Sequence, residues 1–101
     1  MNFELIVRPD SELDIEEAYE WYEERSKGLG KEFINAVEDC LFQIQNNPNI
    51  YSKVYKKIRR GMVKKFPYGI FYLIQRNTIV VLGCFHFKRS PEHWKSRAKQ
   101  K

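Results

Sequence analysis

The chain has 101 residues, 43% of them hydrophobic and 15% aromatic, which is the makeup of one folded domain over residues 1–101 and not of a disordered tail. At that length a core can bury roughly two thirds of the surface the unfolded chain exposes. The formal net charge of +5 hides a division: residues 1–50 are strongly acidic, with 12 acids and 4 bases, while residues 51–101 hold 14 bases and 1 acid, Glu92.

Phe3, Leu5 and Val7 alternate with polar and outward positions, which predicts a short first strand that Pro9 ends. A helix follows, with Asp10 and Ser11 as candidate caps and a stripe of Ile15, Ala18, Tyr19 and Tyr22. It should stop near Lys27-Gly28. The strongest periodicity in the chain comes next: Leu29, Phe33, Ala36, Val37, Cys40, Leu41 and Ile44 mark one face of a second helix, closed by Asn46-Asn47-Pro48. Two such helices joined at a glycine read as a hairpin whose apolar face needs a sheet. The second half supplies it in three stretches, Val54 to Phe66, Tyr68 to Gln75 and Ile79 to Phe87, broken at Pro67-Tyr68-Gly69 and Gln75-Arg76-Asn77. Pro91 opens a short C-terminal helical tail carrying Trp94 and Arg97. The expected class is α+β, in the order β-α-α-β-β-β, with the helical hairpin packed on a mainly antiparallel sheet.

Between Lys53 and Lys65 lie Lys53, Lys56, Lys57, Arg59, Arg60, Lys64 and Lys65 with no acid among them. Like charges at that density repel, so a fold keeps them most readily where a polyanion or an acidic partner binds; the bland alternative is a solvated face that pairs with the acidic first half. Glu16, Glu17, Glu20, Glu23 and Glu24 read as the solvated side of the first helix, not as a carboxylate pair for sugar hydrolysis. Cys40 and Cys84 read as reduced packing thiols. His86 and His93 have the wrong spacing for a secure metal site, no glycine-rich phosphate loop is present, and neither a cofactor nor a metal is expected. The longest apolar run is far below membrane-spanning length and nothing at the N-terminus suggests a secretory signal, so the expected location is the cytoplasm. Of the many aromatics most should be core, with Tyr55 and Trp94 as the two candidates for exposure.

The run Phe66-Pro67-Tyr68-Gly69-Ile70-Phe71-Tyr72, an apolar strand, and then His86, Arg89, Pro91, Trp94 and Arg97 resembles the C-terminal half of the RelE/ParE family toxins, the plasmid-stabilisation proteins. The helical hairpin, Pro48 and Arg59-Arg60 extend the resemblance over nearly the whole chain. It implies the toxin of a type II toxin–antitoxin module, silenced in a hetero-oligomer by a cognate acidic antitoxin. One branch cuts messenger RNA at the ribosome and the other poisons DNA gyrase without a catalytic site of its own. Carried over residue by residue, the ribonuclease reading would use Arg60, His86 and Arg89 as catalytic groups. Either target would be bound by Lys56, Lys57, Arg59, Arg60, Lys64, Lys65, Tyr68, Arg89, Trp94 and Arg97.

The sequence departs from the RNA-cutting branch where Gly69 follows Tyr68 in place of an arginine, and where Met62 holds a basic slot. The match is slightly closer to the ParE-like branch, so gyrase poisoning is the first expectation. A metal-independent mRNA endoribonuclease is the second, with His86, whose unperturbed pKa is about 6.5, as its proton shuttle. A nucleic-acid-binding module of the same fold without toxicity is the third. Because residues two apart on a strand share a face, Arg60 and Arg89 are expected on one side of the sheet, near His86 and the lysines.

Overall fold

The computed structural model describes residues 2–98. Strand β1 (Glu4–Val7) leads into helices α1 (Pro9–Arg25) and α2 (Leu29–Asn46), then strands β2 (Lys53–Tyr55), β3 (Ile58–Met62), β4 (Tyr68–Gln75) and β5 (Thr78–His86), and helix α3 (Pro91–Ala98). The α+β class and the hairpin-on-sheet plan are as the sequence led us to expect. Within that plan, the stretch from Val54 to Phe66 holds two strands and not one. Lys56 takes a left-handed backbone, φ 50°, and turns the chain so that Tyr55 pairs with Ile58. The sheet order is β1-β5-β4-β3-β2; β1 runs parallel to β5 and the other pairs are antiparallel.

Helix α1 begins two residues earlier than a cap at Asp10 would place it. Arg8 is the N-cap, without a side-chain hydrogen bond, and Pro9 occupies the first turn, where its missing N–H costs nothing. Ser11, expected as a cap, is instead wholly buried, and its Oγ donates to the Val81 carbonyl at 2.9 Å. Glu23, expected in the solvated face, also serves the backbone. Its two carboxylate oxygens accept the N–H groups of Gly28 and Gly30, both at 2.9 Å, at the start of α2. A carboxylate there satisfies orphan donors and faces the positive end of the helix dipole. Gly28 turns the hairpin with φ 89°, a conformation open to glycine at little cost.

Both faces of the sheet are covered, because β4 and β5 are apolar at nearly every position. One face packs against the hairpin through Phe33, Val37, Cys40, Ile44, Ile70, Tyr72, Ile79, Val81 and Cys84. The other packs under α3 through Ile58, Phe71, Leu73, Leu82, Phe85 and Trp94. Tyr72 sits in the first core with its hydroxyl donating to the Pro48 carbonyl at 2.7 Å. Burial pushes its phenol up to about 12, against an opposing pull from the Arg59 guanidinium. A phenol whose pKa is raised by folding stabilises the fold below the unfolded value of 10.0 and loses that contribution as pH rises towards 12. Between pH 10 and 11 the loss is expected to be about 1 kcal/mol, and urea titrations at the two pH values should show that difference shrink by this amount in Tyr72→Phe. Cys40 and Cys84 are both buried free thiols, as expected, and burial raises the pKa of each.

Strand β1 ends opposite Val81, so the last half of β5 has no strand neighbour on that side. The helices take over its backbone. Asp14 accepts the Cys84 N–H at 3.1 Å and Arg97 donates to the Leu82 carbonyl at 2.9 Å. The same two side chains form a two-pronged ion pair, Nη1 to Oδ2 at 3.0 Å and Nη2 to Oδ1 at 3.1 Å. Burial acts to lower the Arg97 pKa, but the hydrogen bonds and charge of Asp14 outweigh it and hold the guanidinium above its usual value. An edge that could otherwise recruit another strand is closed by α1 on one side and α3 on the other.

Candidate functional site

The β3–β4 turn, the start of β4, the end of β5 and the turn after it meet at one end of the sheet. Phe87 N–H donates to the Pro67 carbonyl at 2.9 Å, and Arg89 N–H closes a turn onto the His86 carbonyl at 3.0 Å. Helix α1 runs alongside β5 towards the same end, and between them lies an open cleft of about 570 Å³ lined by Asp14, Glu17, Trp21, Tyr22, Tyr68, His86 and Arg89 among others. Acids stand on the helix wall and His86 with Arg89 on the sheet wall. A ligand entering the cleft would meet both signs of charge and the rings of Trp21, Tyr22, Tyr68 and Phe85.

Tyr68 and His86 are cross-strand partners, with ring centroids 5.2 Å apart. His86 Nδ1 accepts the Lys88 N–H at 3.0 Å, which leaves the proton of the neutral ring on Nε2. Burial raises the Tyr68 pKa and the nearby Arg89 partly offsets that rise. Arg89 itself is exposed in the turn. Trp21 is half-exposed, with the Arg25 guanidinium 3.7 Å above its ring.

Tyr68, His86 and Arg89 are thus brought together, with Lys64 and Lys65 exposed on the adjoining turn. Arg60 is not with them. It pairs with Phe71 on the face covered by α3, whereas Tyr68 and His86 point to the hairpin face, so the expectation of one shared side is overturned. The cause is register: Tyr68 and Phe71 are three residues apart on β4 and therefore face opposite ways. Lys56 and Lys57 sit in the β2–β3 turn, at the far end of the sheet.

Three residues expected at a target surface are built into the fold. Arg59 donates to the Tyr51 carbonyl at 2.6 Å on the hairpin face. Trp94, a candidate for exposure, is buried and stacks on Phe71 with centroids 4.9 Å apart and planes 15° from parallel. Arg97 is bound to Asp14 and the Leu82 carbonyl. Each is held by a contact within the fold, which a sequence cannot display.

Asp14, Glu17 and Trp21 on the helix wall were not anticipated as site residues. They recur at i, i+3 and i+7, beside the apolar stripe of Ala18 and Tyr22, and that second stripe was the available signal.

The family model for the ParE toxin of the type II toxin–antitoxin system parDE matches residues 5–91. Among solved structures, the chain is similar to one from the chromosomal ParDE TA system of P. aeruginosa. The TM-score is 0.64 and the identity 16%, over 83% of this chain and 95% of that one. At that identity the likeness bears on the fold. No curated protein matches.

Proposed function

The chain belongs to the ParE toxin family of type II toxin–antitoxin systems, and from that premise we propose that it arrests growth by poisoning DNA gyrase until a cognate acidic antitoxin covers it. The observation that carries the choice of target is the division of the cationic groups by the sheet. An RNA-cutting site must aim its bases and cations at one phosphate, within hydrogen-bond reach of the proton moved and of the oxygens that gain charge. Here Arg60 lies on one face and His86 with Arg89 on the other, so the three groups of the ribonuclease reading do not converge. A poison needs only a complementary surface, and the end of the sheet bearing Lys64, Lys65, Tyr68 and Arg89 supports that role. No helix among the described residues is long and apolar enough to cross a membrane. We place the encounter with gyrase and antitoxin in the cytoplasm.

Incubating the purified chain with gyrase, ATP and supercoiled plasmid, then denaturing the mixture, should release linear plasmid in amounts that rise with toxin. Ribosomes translating a reporter message beside it should leave that message intact. His86→Gln should keep both growth arrest and plasmid cleavage, because no proton transfer is asked of it. In a ribonuclease the same change would cost about 100-fold to 10,000-fold in cleavage. Message cut by the unmodified chain and spared by His86→Gln would replace the gyrase reading with the ribonuclease one. Harmless high-level expression of the folded chain alone in its native host would remove both.

A further inference from the structure

The turns β2–β3 and β4–β5 lie together at the end of the sheet away from the cleft, and both depart from the usual chemistry of tight hairpins. Lys56, between Tyr55 and Ile58, has φ 50°, and Arg76, between Gln75 and Thr78, has φ 58°. A left-handed position in such a turn is ordinarily filled by glycine or asparagine, which take it with little strain. Here each holds an exposed cation, and backbone strain that a fold retains points to a role for the side chain it carries.

Lys57 completes the first turn, and Lys95 reaches the same place from α3. The Lys95 ammonium is 4.4 Å from the centre of the Tyr55 ring and that of Lys56 is 5.3 Å from it. The two charges are therefore closer than a Debye length, about 10 Å at 0.1 M salt, and repel one another. Among the described residues the ion pairs run from Asp10 and Asp14 to Arg8 and Arg97, and none reaches Lys56, Lys57, Arg76 or Lys95. Glu4 is the acid that β1 brings to this end, and it stands beyond β5, at the opposite edge of the sheet from Tyr55.

Two strand spacings, roughly 10 Å, separate the two turns across the sheet. That span approaches the width of the major groove of B-form DNA, about 12 Å, so cations on the two tips can meet phosphates of both strands. The major groove of A-form RNA is narrower and suits them less. The tips themselves, Lys56-Lys57 and Arg76-Asn77, are polar throughout and give an acidic peptide no apolar anchor.

We propose that Lys56, Lys57, Arg76 and Lys95 grip the phosphate backbone of duplex DNA, in the cell the segment that gyrase holds. The proposal rests on the gyrase reading for where the DNA is met, and it adds a direct hold on that DNA at the opposite end of the sheet from Lys64, Lys65, Tyr68 and Arg89. A toxin held by enzyme and DNA at once gains in effective concentration, because each contact makes the other intramolecular.

The first test is fluorescence anisotropy of a labelled DNA duplex titrated with the chain alone at several salt concentrations. Neutralising four phosphates gives a slope of log affinity against log salt of about −3 to −4. Lys56→Asn combined with Arg76→Asn should make that slope shallower by about two and weaken binding about tenfold or more, equally on duplexes of different sequence. Because asparagine suits the left-handed backbone, the double variant should keep or raise the thermal midpoint, which separates a lost phosphate contact from a damaged fold. Lys31→Gln, at an exposed position of α2, also removes one positive charge and should leave the slope unchanged. No salt-dependent binding, undiminished binding in the double variant, equal or tighter binding of an RNA duplex of the same sequence or of polyglutamate, or a loss seen in Lys65→Asn and not in the double variant would each overturn the proposal. With gyrase, ATP and supercoiled plasmid, the double variant should need about tenfold more protein to release the same linear plasmid. Equal potency there overturns the proposal and leaves the gyrase reading standing. No linear plasmid from the unmodified chain defeats the gyrase reading, and the duplex titration then judges this surface by itself.

Discussion

Replacing Phe33 by alanine is expected to lower the unfolding free energy by about 3 to 5 kcal/mol. Phe33 has no exposed surface and lies under three aromatic rings, those of Tyr22, Phe66 and Tyr68, at centroid distances of 5.3, 5.2 and 5.1 Å. Truncation removes the transfer free energy of the ring and leaves a cavity that these stiff neighbours cannot close. The tilted and edge-on contacts add about 0.5 to 1.5 kcal/mol beyond the buried area, which pulls the expectation towards the upper end. Because Tyr22 and Tyr68 also line the cleft, the rings should loosen there, and Tyr68 fluorescence or ring resonances should report it. Urea unfolding of the variant checks the magnitude. A loss below about 1 kcal/mol, the size of a surface change, would mean that α2 does not pack through Phe33.

The second large effect is expected at Asp14. Its carboxylate takes two N–H groups of Arg97 and one from the Cys84 backbone, with Asp14 and Arg97 side chains 13% and 18% exposed. Asp14→Ala leaves a partly buried guanidinium and a strand-edge amide without that acceptor, and should cost about 2 to 4 kcal/mol, somewhat below the full value for a wholly buried pair. Asp10, 3.5 Å from Arg97 Nε, compensates part of the charge, which is why the upper limit is not reached. Asp14→Asn should cost less, since an amide oxygen still accepts the Cys84 N–H. Arg97 anchors α3, so the alanine variant should also free Trp94 from its stack on Phe71 and shift its emission to the red, read in a Trp21→Phe background. A coupling energy near zero in the cycle of Asp14→Ala with Arg97→Met would show that the pair holds nothing together.

The elements most legible in the sequence are those whose partners are local. The stripe from Leu29 to Ile44 announces α2 because residues three and four apart on a helix are neighbours whatever the rest of the chain does. Likewise the apolar run of β5 and the break at Gln75-Arg76-Asn77 set out a hairpin, and the structure turns there with Arg76 at φ 58°. The resemblance to toxins of the RelE/ParE type is carried by ordered local motifs of the same sort, and the family match over residues 5–91 agrees with it.

Less legible are the residues whose partners are distant. Ser11 resembles a cap when its hydroxyl is weighed against its own helix alone, yet it serves Val81, 70 positions away. Arg97 resembles a contact for a target because its acid, Asp14, is 83 positions away.

Composition, periodicity and the asymmetry of charge are enough for the class of fold, the helical hairpin and a cationic second half. The division of those cations between two faces comes only with the folded sheet. Alternation along a strand assigns sides within that strand, but Arg60, Tyr68 and His86 are compared only through the registers of β3 with β4 and of β4 with β5. A slip of one residue in either register would exchange every side chain, and what prevents it is the packing of two cores at once, with Ile70 and Tyr72 under the hairpin and Phe71 and Leu73 under α3.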